Sequence, residues 1–370
     1  MFRVAATLGC LAALCALTLA QSAAPAAAPE PPAAAPTPTP VALRSDVYRA
    51  QNGNAVNDFT PSATVVHAMV DNLVLNVTGQ GSVAAAWGSL VRPSDVVGIK
   101  VCANGAPFFS SHPAVVAAIC DGLAQAGVPP QNIVVFDRDE ELLKEAGYTT
   151  RNHAYRLLWN QGNYDSAAVV SSSITGKLIY GDLLFVGRRV PTLGAELAVS
   201  DKKERSQNDF SNESHISRIL ARLVTKVVNV PVMTDHISCG LSGGLYNMTV
   251  QNVDNWRRLV QDPVKGDPEI PELYSNPLIG SKVVLTVMDG LIAGYAGAPM
   301  GDLNYAVQAG VLLAGRDPVA IDALAVRQID RWRKEAKMEP ASKDAKYIST
   351  AFDYSLGNAD PNRIDVHEVR

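Results

Sequence analysis

Cysteine is scarce: five residues in 370, of which Cys10 and Cys15 fall in the first twenty positions. The remaining Cys102, Cys120 and Cys239 are odd in number and nowhere spaced Cys-x-x-Cys. That excludes a disulfide scaffold and an iron–sulfur cluster, which needs four grouped thiolates. Cys120 sits in an apolar helical stretch and reads as a small buried hydrophobe. Cys102 and Cys239 each follow a strand end, which leaves one disulfide between them open. Aromatic residues are only 6% of the chain, and 32 basic against 36 acidic side chains form no basic stripe. This argues against nucleic acid as a partner. There is no His-x-x-x-His pair, no Walker A or dinucleotide glycine pattern, and no repeat of fixed period. Gly240-Leu241-Ser242-Gly243-Gly244 is not the Gly-x-Ser-x-Gly nucleophile elbow.

The first forty residues carry a different message. Arg3 precedes an apolar run from Val4 to Leu19 that ends at Thr18-Leu19-Ala20, the pattern of a secretory signal peptide over residues 1–20. The run is short for a membrane-spanning helix. Residues 21–44 are dominated by Ala and Pro, a composition that cannot bury a core and favours extended polyproline conformations. The expectation is an exported protein, periplasmic or extracellular, with a tether after the cleavage site and no stable membrane insertion once the signal is removed. The folded domain then spans 45–370.

Within it, five apolar runs read as buried strands that end on polar residues. Val96–Ile99 ends at Lys100, Ile133–Phe136 at Asp137, and Val227–Met233 at Thr234-Asp235-His236. Val283–Met288 ends at Asp289, and Val311–Gly315 at Arg316-Asp317. Near-continuous apolar runs are typical of strands covered on both faces by helices, and in an open parallel sheet ligands sit beyond the carboxyl ends of the strands. The run at 96–101, a glycine- and proline-rich loop, a helix from His112-Pro113 to Ala126 and a strand at 133–136 form a βαβ unit, which should be parallel and right-handed. Helices are expected over 61–74, 83–90, 139–146, 214–223, from Asp317 to about Lys337 and over 342–356, with a closing strand at 364–369. The fold class is therefore α/β, a mainly parallel sheet with helices on both faces. A partly antiparallel insertion is expected at about 148–213, and one extended domain is favoured over two lobes.

Four ordered segments carry a resemblance. They are Val97-Gly98-Ile99-Lys100 with Ser111-His112-Pro113-Ala114-Val115-Val116, Phe136-Asp137-Arg138 with Leu142 to Gly147, Val230 to His236 with Ser242 to Met248, and Val287 to Gly290 with Gly315 to Asp322. Together, over roughly residues 60–370, they resemble the family called domain of unknown function 362. Where that family carries Lys beside Thr-His this chain has Thr234, where it has Lys before Asn it has Tyr246, and Cys102 stands where Asn is expected. The family's cysteine-rich cluster segments are absent. The resemblance implies a fold and site positions rather than a chemistry, with a pocket less cationic than its relatives'.

The chemistry-bearing candidates follow from the strand ends. Lys100 closes a hydrophobic strand, and a lysine there needs a carboxylate, Asp137 or Asp289, or an anionic ligand. His236 is a candidate acid–base group, or a metal ligand together with His112 and Asp289; a divalent metal with mixed nitrogen and oxygen ligands suits such a set. Asn247 and Asp322 join them as ligand-binding candidates. Lys100, His112, Asp137, His236, Asn247, Asp289 and Asp322 are expected to converge in one cleft. Two functions fit: an envelope enzyme acting on a small anionic or metal-associated substrate, with Lys100, His236 and Asp137 catalytic, or a non-catalytic protein that binds a metal ion or small cofactor.

Overall fold

The computed structural model describes residues 44–151, 154–177, 186 and 210–370. The expected signal peptide, nearly all of the Ala/Pro linker and most of the stretch between 178 and 209 lie outside the described residues. Among those described, no helix is long and apolar enough to cross a membrane.

Among the described residues the near-continuous apolar runs assemble into an eleven-stranded mixed sheet. Its main path runs Ile364–Val369, Ser45–Gln51, Val311–Gly315, Val283–Gly294, Lys226–Val230, Val97–Val101, Ile133–Asp137, Arg156–Trp159. The last five of these pair parallel. Val311–Gly315 is antiparallel to both of its neighbours. The expectation that all five polar strand ends share one edge therefore fails at Arg316-Asp317, which leave the sheet at the opposite end. The cause is the short link from Gly294 to Val311, which returns the chain without a crossover helix. At that opposite end Asp317 caps the helix Pro318–Glu335, accepting from Ala320 N at 3.0 Å.

Alternate residues of each strand feed two cores. Val97, Ile99, Val101, Val135, Val228, Val230 and Val287 pack with the helices Ala63–Thr78, Val83–Leu90 and Pro113–Gln125. Val134, Phe136, Val227 and Met288 pack on the other side with Pro318–Glu335 and Lys346–Asp353. Helices therefore cover both faces. The approach of Val83–Leu90 to Pro113–Gln125 depends on Gly122, where a Cβ would stand 2.0 Å from Trp87 Nε1.

Three local expectations are corrected. The strand expected over 226–233 breaks at Pro231, whose missing N–H cannot continue the ladder, and resumes as Val232–His236 alongside the far half of Val283–Gly294. The loop expected from 289 begins only after that strand ends at Gly294. The helix expected at 214–223 is a strand, Phe210–Ser217, followed by a short wide turn, Ile219–Leu223. The strand pairs antiparallel with Tyr164–Lys177, which is the antiparallel insertion. Arg258, 1% exposed, pins this hairpin from behind, donating to Ser172 Oγ at 2.6 Å, Ile174 O at 2.9 Å and Ser214 Oγ at 2.9 Å.

Candidate functional site

Two buried charge pairs, Lys100 with Asp137 and His112 with Asp289, sit at the carboxyl end of the parallel strands. Because Ile99 and Val101 point into the first core, Lys100 between them projects to the second face and is 0% exposed. Its ammonium donates to Asp137 Oδ1 at 2.5 Å, Val101 O at 2.7 Å and Asn247 Oδ1 at 2.9 Å. Three donors meet three acceptors, so the charge is fully committed inside the protein. Asp137 uses its second oxygen to accept from Ala103 N at 2.7 Å.

Asn247 extends this network. Its amide donates to Asn229 Oδ1 at 2.9 Å, and Asn229 donates in turn to Gly244 O at 3.0 Å. The short helix Gly244–Met248 is thus moored to two strand ends. Its first N–H groups, of Gly244 and Leu245, donate to Asp322 Oδ1 and Oδ2 at 2.6 and 3.0 Å. Burial pushes the Asp322 carboxyl up to about 7 against these two hydrogen bonds, and the nearby Asp317 charge adds to the rise. Gly243 permits this approach, since a Cβ there would stand 2.3 Å from Asp322 Oδ1.

The second pair is His112 with Asp289. Val287 and Leu291 belong to the first core, so Asp289 lies on their face, away from Lys100. One carboxylate oxygen, Oδ2, accepts from both the His112 backbone N–H and ring Nδ1, each at 2.8 Å; Oδ1 accepts from Leu291 N at 3.0 Å. A carboxylate on Nδ1 fixes the tautomer with hydrogen there. Nε2 is buried and has no hydrogen-bond partner among the described residues. Burial alone would lower the His112 pKa, but the Asp289 charge and hydrogen bond outweigh it and hold the value above that of an ordinary histidine.

Sequence reasoning missed the groups that tie the two pairs together. Ser111 Oγ accepts from Cys102 N at 2.7 Å and donates to Val230 O at 2.6 Å, while Tyr148 OH donates to Ser111 O at 2.6 Å. With the Ala103–Asp137 bond, these contacts clamp both ends of the loop between Val101 and Pro113 onto the strand ends. Asn229 was the legible one, a polar residue inside the run Val227-Val228-Asn229-Val230 that needs a buried partner. Ser111 and Tyr148 carry no such signal.

His236 stands apart from both pairs. Half-buried against the Tyr246 ring at 4.7 Å, its Nδ1 accepts from Ser238 N at 3.2 Å and Cys239 N at 3.0 Å. Burial pushes its pKa down to about 4. The neutral ring must then carry its hydrogen on Nε2, which makes it a hydrogen-bond donor near neutral pH. Lys100, Asp137 and Asn247 are thus in direct contact, Asp322 is reached through the helix Gly244–Met248, and His112 with Asp289 forms a separate pair. The narrow cleft at this edge is lined by Cys102, Asn104, Phe109, Thr234, Asp235 and Ser242 among others, and by none of the seven. Its enclosed volume of about 20 Å³ has room for one water. Cys102 and Cys239 are free, buried thiols; burial and the neighbouring Asp137 charge push Cys102 up to about 11. No group of three His, Cys, Asp or Glu side chains able to hold a metal ion occurs among the described residues.

Comparison with known proteins adds little chemistry. No curated protein matches the chain. A crystal structure of a Thermotoga maritima protein from the Northeast Structural Genomics Consortium aligns at 10% identity and a TM-score of 0.39, covering 76% of this chain and 61% of that one. The chain thus spans less than two thirds of that protein's length. Of the four segments behind the resemblance, the stretches Val230 to Met248 and Val287 to Asp322 fall within residues 190–327. Those residues, 190–327, match the family model described as Domain of unknown function (DUF362), in agreement with the resemblance read from the sequence.

Proposed function

We propose that the chain binds a small polar molecule at the carboxyl end of its parallel strands, in space made by displacement of the loop between Val101 and Pro113, and that His112, oriented by Asp289, exchanges a proton with it there. One observation carries this reading: a histidine 95% withdrawn from solvent, with Nδ1 held by a carboxylate and Nε2 left without a partner among the described residues. An aspartate on Nδ1 fixes the ring and raises the basicity of Nε2, as in Asp-His pairs that serve acid–base chemistry. A buried polar nitrogen left unpaired costs about 1–3 kcal/mol. A ligand hydroxyl or N–H on the neutral ring, or a ligand oxygen on the charged ring, would recover it. Lys100, Asp137 and Asn247 serve in this reading as the rigid platform under the loop that carries His112.

The finer reading is an exported enzyme of the cell envelope, resting on the signal-like residues 1–20, that acts on a small anionic or metal-associated substrate. A non-catalytic binding protein is the second reading. It is favoured by the filled donor set of Lys100 and by His236, whose Nδ1 is taken and which offers no base. The test compares wild type with His112→Gln and Asp289→Asn against a library of small carboxylates, phosphates, amides and alcohols, scored by thermal stabilisation and by turnover. A ligand at a hundred times its Kd stabilises by about 2.7 kcal/mol. Stabilisation of wild type that disappears in folded His112→Gln supports the reading, and turnover lost with it supports the enzyme. Equal stabilisation of wild type and His112→Gln by every hit overturns it.

A further inference from the structure

On the second face of the sheet, the strands Ser45–Gln51, Val311–Gly315 and Ile364–Val369 run beyond the cover of the helix Pro318–Glu335 and leave a groove of about 520 Å³. Its floor is apolar: Met233, Val311 and Leu313 from the strands, with Leu324 and Trp332 from the helix. At its rim Val366 is 44% exposed. The polar side is charged with one sign in excess. Arg49, Arg327 and Arg331 all line the groove, opposed by the single carboxylate of Glu368.

Those three guanidinium groups differ in how they are occupied. Arg49 is engaged, with Nη1 on Glu368 Oε1 at 2.9 Å and Nη2 on Gln51 Oε1 at 2.6 Å. Among the described residues Arg331 donates only to Gln328 Oε1, at 3.2 Å. Arg327 is half-buried and has no hydrogen bond or ion pair among the described residues. A half-buried guanidinium without an anion is unusual, because planar bidentate pairing with carboxylate or phosphate is what that side chain does best. The volume falls in the range of small-molecule sites, which pair apolar walls with a few placed polar groups.

We propose that this groove binds a monomeric amphipathic anion, a carboxylate or phosphate monoester on an aliphatic or aromatic body. The headgroup lies between Arg327 and Arg331, and the apolar body lies on Leu324, Trp332 and Val366. The site is separate from the strand-edge cleft and stands whether or not the His112 reading does.

The probe is decanoate, with decanol as its uncharged match, titrated calorimetrically into the purified full chain and into its Arg327→Gln/Arg331→Gln variant. Both substitutions keep much of the side-chain stem, so the variant is expected to fold, which circular dichroism checks. The expected result is saturable decanoate binding, at least tenfold weaker in the folded variant, weakened by salt, and at least tenfold tighter than decanol. No decanoate binding at millimolar concentration overturns the proposal, as does equal binding of decanol or an unchanged affinity in the variant. Binding only to anionic phospholipid vesicles overturns it in favour of a membrane surface. Self-association lost in the same variant overturns it in favour of a second copy of the chain.

Discussion

Replacing Lys100 by Met removes an ammonium that is 0% exposed and bonded to Asp137, Asn247 and Val101 O. The methionine is close in volume, so the loss is electrostatic rather than a cavity. Asp137, itself 2% exposed, keeps only the Ala103 N–H. Removing one partner of a buried pair costs about 3–5 kcal/mol, chiefly because the survivor remains charged in a poor solvent. Adding Asp137→Asn takes that charge away while leaving an acceptor for Ala103 N. The double variant should then lose only about 1–2 kcal/mol, the worth of one or two neutral hydrogen bonds. Urea denaturation of wild type, both single variants and the double gives the cycle directly. A single variant costing less than about 1 kcal/mol, against the range for a broken buried pair, would refute the argument. So would a double variant no more stable than Lys100→Met.

Asp322 should make stability fall as pH rises, the reverse of an ordinary aspartate. Its folded value of about 7 lies above the usual 3.8, so between these the folded state holds more protons than the unfolded one. A rise from 3.8 to about 7 corresponds to a loss of about 4 kcal/mol of stability, absent below the unfolded value and fully felt above the folded one; Asp322→Asn, denatured at both ends of that window, should remove this contribution to the slope. Arg258→Met should release the hairpin Tyr164–Lys177/Phe210–Ser217 by orphaning the Ile174 carbonyl and two serine hydroxyls. Limited proteolysis should cut within it at least tenfold faster while sheet unfolding changes little, and unchanged cleavage would refute the pinning role.

The strands were legible because burial on both faces leaves runs such as Ile133–Phe136 that no helix of that length would show. Lys100 was legible for the same reason, a charge where the pattern demands an apolar residue, and its partner Asp137 was one of two carboxylates expected. Strand direction was not legible: nothing in Val311–Gly315 marks it as antiparallel, since direction is set by how the chain returns. Nor was the face on which each strand end emerges, and that separates Asp289 and His112 from Lys100. The strand Phe210–Ser217, whose second half reads locally as the start of a helix, is held by Arg258, more than forty residues away in sequence. His236 reads as an available base until its Nδ1 is seen to accept two backbone N–H groups.

Long-range nitrogen–proton spectra of the histidine-labelled protein report whether Asp289 holds His112 with Nε2 free for a ligand. In the neutral ring Nδ1 should be protonated and strongly hydrogen-bonded while Nε2 resonates as a bare nitrogen. Nε2 should shift when a small polar ligand binds, and Asp289→Asn should weaken this response. A neutral ring with its hydrogen on Nε2, or an Nε2 resonance unmoved by every ligand that stabilises the fold, would contradict that arrangement.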